Sequence, residues 1–233
     1  MEGALMFALE DLKIGRRNWV KTAGIPTRKL GWQLGDCTLI PEKVRDGVNR
    51  WVQAVEDGKI ILSPGGTHCG RGMLLFGTPG QGKTTVALGV LQDLMKTLPV
   101  ERFSPTSGNV IVRPCYFTTY SGLLALNSDL MDEDYQESAQ LLYDGILGEA
   151  FDDAYNVRVL IIDDVGKEHQ TVSGWQKNML HHILRTRFDN GLPTIVTTNI
   201  PREDWADIYG DATGSFVKES FVYIPFESTK DLR

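Results

Sequence analysis

Apolar residues fall along this chain in two alternating patterns. Runs with little polar interruption recur at 72–77 (GMLLFG), 157–163 (VRVLIID), 193–199 (PTIVTTN) and 221–226 (FVYIPF). Runs of this kind predict strands, and the continuous one at 157–163 suits a strand buried on both faces of a parallel sheet. Between them, apolar residues return at helical spacing. Val44, Val48, Trp51 and Val55 predict a helix to about Glu56 that has Pro41 in its first position. Val86, Val90, Leu91 and Leu94 predict another over 83–97, and residues 121–151 read as helical in one or two pieces. Ser173 and Gln176 have capping-box spacing and open a helix to about Asn190, closed by Gly191. Residues 109–113 and 115–120 read as strand material broken at Pro114, and 201–219 as helical pieces. Near the N-terminus, 2–22 forms a short helix or two with Leu5, Leu9 and Leu12 on one face. Residues 25–39 read as irregular and 62–72 as a glycine-rich loop.

Strands alternating with helices imply an α/β fold, a parallel sheet covered by helices on both faces. Ligands on such sheets gather at the carboxyl ends of the strands. The 233 residues suffice for one domain with a full core. No apolar run approaches the roughly 18 residues of a membrane span, and the N-terminus lacks the basic start of a signal peptide. Cys37, Cys69 and Cys115 are odd in number and widely spaced, which fits a reducing, cytoplasmic setting rather than a disulfide framework or a zinc site. His181 and His182 lack acidic or cysteine partners at ligand spacing and read as structural.

The net charge of −6 disfavours a protein that coats nucleic acid by charge alone. Its distribution is uneven. Residues 1–60 carry ten Lys/Arg against eight Asp/Glu, and 61–233 carry fourteen against twenty-two. Between Arg113 and Arg158 there is no basic residue, while acids accumulate from Asp129 to Asp153. Such a face repels a phosphate backbone.

The chemistry concentrates at the ends of the apolar runs. Gly77-Thr78-Pro79-Gly80-Gln81-Gly82-Lys83-Thr84 matches G-x-x-x-x-G-K-[ST] between a strand and a helix, the context that confirms a phosphate loop. Its glycines let backbone N–H groups turn to phosphate, and the helix N-terminus adds favourable partial charge. Lys83 reaches the β- and γ-phosphates, Thr84 ligates Mg²⁺, and Thr85 completes the nucleotide-binding set. In VLIIDDVG, a strand ends in acid: Asp163 holds Mg²⁺ through water, and Asp164 orients the attacking water. Asn199, at the end of the next apolar run, is placed to hold that water or to cap a helix. The guanine-reading N-K-x-D and the LSGGQ of transporters are both absent, and an extra strand at 109–120 separates the two motifs. ATP is the expected nucleotide.

AGIP (23–26), LLFGTPGQGKTT (74–85), LIIDDVGKE (160–168) and LRTRFDNGLPTIVTTN (184–199), with a final strand near the chain end, together resemble the DnaC/DnaI-type helicase loaders and the related IstB-type transposition ATPases. The resemblance covers 23–233. It implies an AAA+ core with a parallel five-stranded sheet in the order 5-1-4-3-2, no C-terminal lid, and ATP bound between subunits of a homo-oligomer. It also implies a role in placing a replicative DnaB-type helicase on single-stranded DNA. The compact size suits a version encoded by a phage or mobile element. Arg233 stands where the resemblance places an arginine acting on the bound nucleotide.

Three departures qualify this. Only about 22 residues precede AGIP, where loaders usually carry a larger helicase-binding domain, so segment 1–22 is the candidate partner-binding piece. The acidic stretch 129–153 lies where the family contributes to DNA contact. Tyr116, Phe117 and Tyr120 could stack bases there but read as core, and weak, salt-sensitive DNA binding is expected. In YGDATGSFVKES (209–220), Phe216 stands where the family carries an arginine that reaches a neighbour's γ-phosphate. Lys218, Arg202 or a partner must replace it, or turnover is weak. Three readings follow: a helicase-loader-like ATPase, an IstB-like transposition helper, or a weakly hydrolysing nucleotide-switched adaptor.

Overall fold

Five parallel strands form the centre of the molecule, a computed structural model that describes residues 18–58, 70–97, 111–167 and 174–226. The strands are β1 (Gly72–Phe76), β2 (Cys115–Thr119), β3 (Val159–Val165), β4 (Thr194–Thr198) and β5 (Phe221–Pro225), in the spatial order β2-β3-β4-β1-β5. This is the order that the family resemblance implies, read from the opposite edge. Seven α-helices are described: α1 (Glu42–Glu56), α2 (Lys83–Thr97), α3 (Tyr120–Asp129), α4 (Gln136–Leu147), α5 (Gly174–Asp189), α6 (Trp205–Tyr209) and α7 (Asp211–Ser220).

The two faces of the sheet carry separate apolar clusters. One gathers α1 and α2 with Met73, Leu75, Val159, Ile161 and Ile195. The other gathers α3 to α7 with Leu74, Leu160, Ile162 and Val196. Alternate residues of each strand thus serve opposite clusters, and this explains why β1, β3 and β4 read as unbroken apolar runs.

Details of the elements differ from the sequence reading. Pro41 is the cap before α1, and the helix begins at Glu42. The described part of the second strand starts only after Pro114: Val112 N–H donates to Ala154 O, and Pro114 O accepts from the Arg158 and Val159 amides. A residue without an N–H cannot extend the ladder upstream. Ser173 lies outside the described residues, as do Leu5, Leu9, Leu12, Cys69 and Arg233. The core begins before residue 23. Residues 18–22 are helical, Trp19 is buried with its indole N–H donating 2.7 Å to Ile111 O, and the Phe117 amide bonds Ala23 O, which covers the free edge of β2.

Three elements that bear on function are also core. Phe117 and Tyr120 are buried, and Tyr120 donates its hydroxyl to Gln176 O. Tyr116 is half-buried under Arg113. These aromatics serve packing rather than base stacking. Phe216 is buried edge-on against Phe188, Phe221 and His181, whose Nδ1 lies 3.2 Å from Thr213 Oγ1.

Candidate functional site

The site forms at the carboxyl ends of β1, β3 and β4, where the phosphate loop leaves β1 and enters α2. Gly80 and Gly82 have φ of +87° and +84°, a region that side chains with a Cβ rarely occupy. Their turns bring the chain back to start α2 at Lys83, which leaves the first amides of that helix for an anion.

Lys83 is 6% exposed, and three acceptors surround its ammonium. Its Nζ donates to Gly77 O at 2.6 Å, Thr78 O at 2.9 Å and Asn199 Oδ1 at 2.9 Å. An ammonium has three N–H groups, so protein acceptors stand where phosphate oxygens would compete. Asn199 does not cap the turn that follows. Pro201 precedes that 3₁₀ turn (Arg202–Asp204), and the Asn199 side chain faces Lys83.

Asp163 lies deeper, 4% exposed at the end of β3. Its Oδ1 accepts from Thr84 Oγ1 at 2.8 Å and from Thr197 Oγ1 at 2.5 Å. Burial pushes its pKa above the usual carboxylate value; Asp164 adds to this, while the Thr197 and Thr84 hydroxyls oppose it. A buried carboxylate beside a hydroxyl at the helix start is a hard-oxygen donor pair. Among the described residues no group of three or more His, Cys, Asp or Glu could cage a metal. The Thr84–Asp163 donor pair fits Mg²⁺, which takes one or two protein oxygens and completes its shell with phosphate and water. Thr84 and Asp163 would hold it.

Asp164 points elsewhere. It is one-third exposed, and its Oδ2 sits 2.5 Å from Lys167 Nζ. Its φ is +62°. The expected water-orienting acid is therefore at the rim of the site, in an ion pair with its own loop.

Sequence reasoning missed the other side of the cleft. Lys29, Trp32, Cys37, Ile40, Thr85 and Val86 line a recess of about 220 Å³ that adjoins the phosphate loop at Gly82. Lys29 Nζ lies 4.8 Å over the Trp32 ring and 3.2 Å from Thr85 Oγ1. The strap is tied to α2: Gln92 bonds Gly31 N and Lys29 O, and Asp93 accepts from Leu34 N. A polar rim over an apolar floor next to a phosphate loop can hold a nucleoside. The signal was present as a tryptophan and a lysine in an otherwise irregular stretch, but only the fold brings them to Thr85.

The expected cations near the missing arginine are dispersed. Lys218 is exposed on α7. Arg202 lies 5.3 Å over the Tyr223 ring. Arg185, not singled out from the sequence, lies 5.4 Å over the Phe216 ring and pairs with Asp189 at 3.0 Å.

Sheet order and phosphate loop together match the P-loop AAA+ fold. Comparison with known proteins agrees with the resemblance read from the sequence. A family model described as "IstB-like ATP binding protein" matches residues 129–215. Among solved structures, the DnaC helicase loader is similar over 87% of this chain and 100% of its own, with TM-score 0.60 and 21% identity. DnaI is similar over 86% and 94%, with TM-score 0.57 and 19% identity. AMPPCP-bound DnaA from Aquifex aeolicus is similar over 88% of this chain and 52% of its own, with TM-score 0.56 and 14% identity. No curated protein matches by sequence. The chain is thus similar to DnaC- and IstB-type proteins, and the distant structural likenesses show its fold. Among the described residues no helix is long and apolar enough to cross a membrane.

Proposed function

We propose that this chain binds and hydrolyses ATP with Mg²⁺ and acts as a helicase-loader-like protein in DNA replication. One observation carries the nucleotide part. The adjacent Lys83 and Thr84 meet the distant Asn199 and Asp163 through bonds of 2.9 and 2.8 Å at one end of a parallel sheet. Lys83 and the α2 N-terminus bind the phosphates. Mg²⁺, when bound, neutralises charge on the β- and γ-phosphates. Asn199 and Asp164 would orient the attacking water, and Asp164 would accept its proton once released from Lys167. The loader part is supported by the likeness to DnaC and DnaI over nearly the whole chain. The IstB-like match at 129–215 favours a second reading, a helper ATPase that works with a transposase.

The test is steady-state ATPase activity of the protein alone, then with a DnaB-type helicase and single-stranded DNA, with Lys83→Ala as the inactive control. Low basal turnover, stimulated by helicase and abolished in Lys83→Ala, is expected. Retention of a transposase in place of the helicase in a pull-down decides for the second reading. Robust turnover without any partner rules out the weakly hydrolysing adaptor.

A further inference from the structure

The β3–β4 register slips by one residue at the site. Ile162 pairs with Val196 and Val165 with Thr198, so Asp163 and Asp164 together stand opposite Thr197. Two residues against one is a β-bulge, a device that re-aims side chains. Asp164 is the one non-glycine residue with positive φ among the described residues, and it occupies the bulge.

Thr197 is fully buried at this point. Its hydroxyl donates to Asp163 Oδ1 at 2.5 Å and accepts the Asp164 amide N–H at 2.9 Å. A hydroxyl has one proton to give and lone pairs to receive, so both bonds coexist. The other β4 threonines are engaged elsewhere. Thr194 accepts from Arg187, and Thr198 donates to Val165 O. A buried hydroxyl in an apolar strand is unfavourable unless it is bonded, and valine would fill the same space.

We propose that Thr197 is a positioning residue of the nucleotide site, whose one hydroxyl sets both acids. It holds Asp163 Oδ1 beside Thr84, the pair that would hold the metal. It also fixes the Asp164 amide, which turns that carboxylate out of the core to the rim. Thr197 acts through the two acids, to which its hydroxyl is bonded. The proposal rests on the reading of the site as one for Mg²⁺ and ATP.

The test compares the full-length wild type with Thr197→Val, Thr197→Ala and Thr197→Ser. The measurements are kcat and KM for ATP, nucleotide affinity in Mg²⁺ and in EDTA, and thermal unfolding. Thr197→Val should fold, keep wild-type affinity in EDTA, and lose about 10–100-fold in kcat or in the gain of affinity that Mg²⁺ confers, as for other groups that orient metal ligands. Thr197→Ala should share the loss, and Thr197→Ser should recover most of it. Wild-type behaviour of either hydroxyl-free variant overturns the proposal. So does a serine variant as impaired as valine, because the methyl group would then be what matters. If the wild type binds nucleotide without turning it over, the hydrolytic reading fails, while the Mg²⁺ dependence of affinity still decides the role of Thr197. If the wild type binds no nucleotide, both fall.

Discussion

Asp163 and Asp164 are adjacent acids with different surroundings. Asp163 is buried with two hydroxyl donors; Asp164 is partly exposed with an ammonium partner. Environment rather than residue type divides their roles. The Asp164–Lys167 pair joins half-exposed groups, so it contributes only about 0–1 kcal/mol and can open when nucleotide arrives. Asp164→Asn is expected to bind ATP with wild-type affinity and to lose turnover. Equal affinity with unchanged kcat would remove Asp164 from its assigned role. At this scale the phosphate loop and the acid pair were readable from the chain because backbone phosphate binding and Mg²⁺ ligation demand particular residues at fixed spacing. The pairing of Asp164 with Lys167 was not, since it depends on the left-handed backbone at Asp164.

At the scale of elements, Arg187 on α5 joins the parts. It is fully buried, and burial pushes its pKa down to about 9, so it stays charged at neutral pH. Its guanidinium donates to Thr194 Oγ1 and to the carbonyls of Ile146, Val157, Arg158 and Pro193. One side chain thereby joins α5, β4, the end of α4 and the entry to β3. Removing it leaves several buried acceptors unpaired. Arg187→Ala should therefore lower stability by about 3–5 kcal/mol, measured as a drop in the urea midpoint. Arg187→Lys should recover little, because an ammonium cannot span a planar fork of acceptors. The sequence reading treated this arginine as part of a motif run without a task. Its burial is invisible to periodicity, because an arginine on a helix reads as surface.

For the whole molecule, the partner surfaces carry the remaining predictions. Trp19 belongs to the hydrophobic core, so a deletion that tests partner binding should stop short of it. Removal of residues 1–17 is expected to leave nucleotide affinity and thermal stability unchanged and to abolish capture of a DnaB-type helicase. Intact capture would show that the loader surface lies elsewhere. DNA affinity of the whole protein should be weak and fall steeply between low and moderate salt. The described acidic stretch supports this: Asp129, Asp132, Glu133, Asp134 and Glu137 sit at or near the exposed start of α4, without a basic neighbour on the segment. Phe216 is core, held by three aromatic rings. The missing arginine is thus not a side chain turned away from its task but a position given over to packing.

Apolar runs, helical spacing and glycine placement were enough to establish the parallel α/β class, its strand order through the resemblance, and the phosphate loop. The class and the phosphate loop are local demands, met by residues near one another in the chain; the strand order is not, and came only from the family resemblance. The tertiary structure decided the rest. It showed that Lys29 and Trp32 line a recess beside the phosphate loop and that Arg187 is buried. It also showed that Thr197 stands against two acids across a bulge. Those outcomes depend on strand register and on contacts between elements far apart in the chain, and the hydrophobic pattern constrains neither.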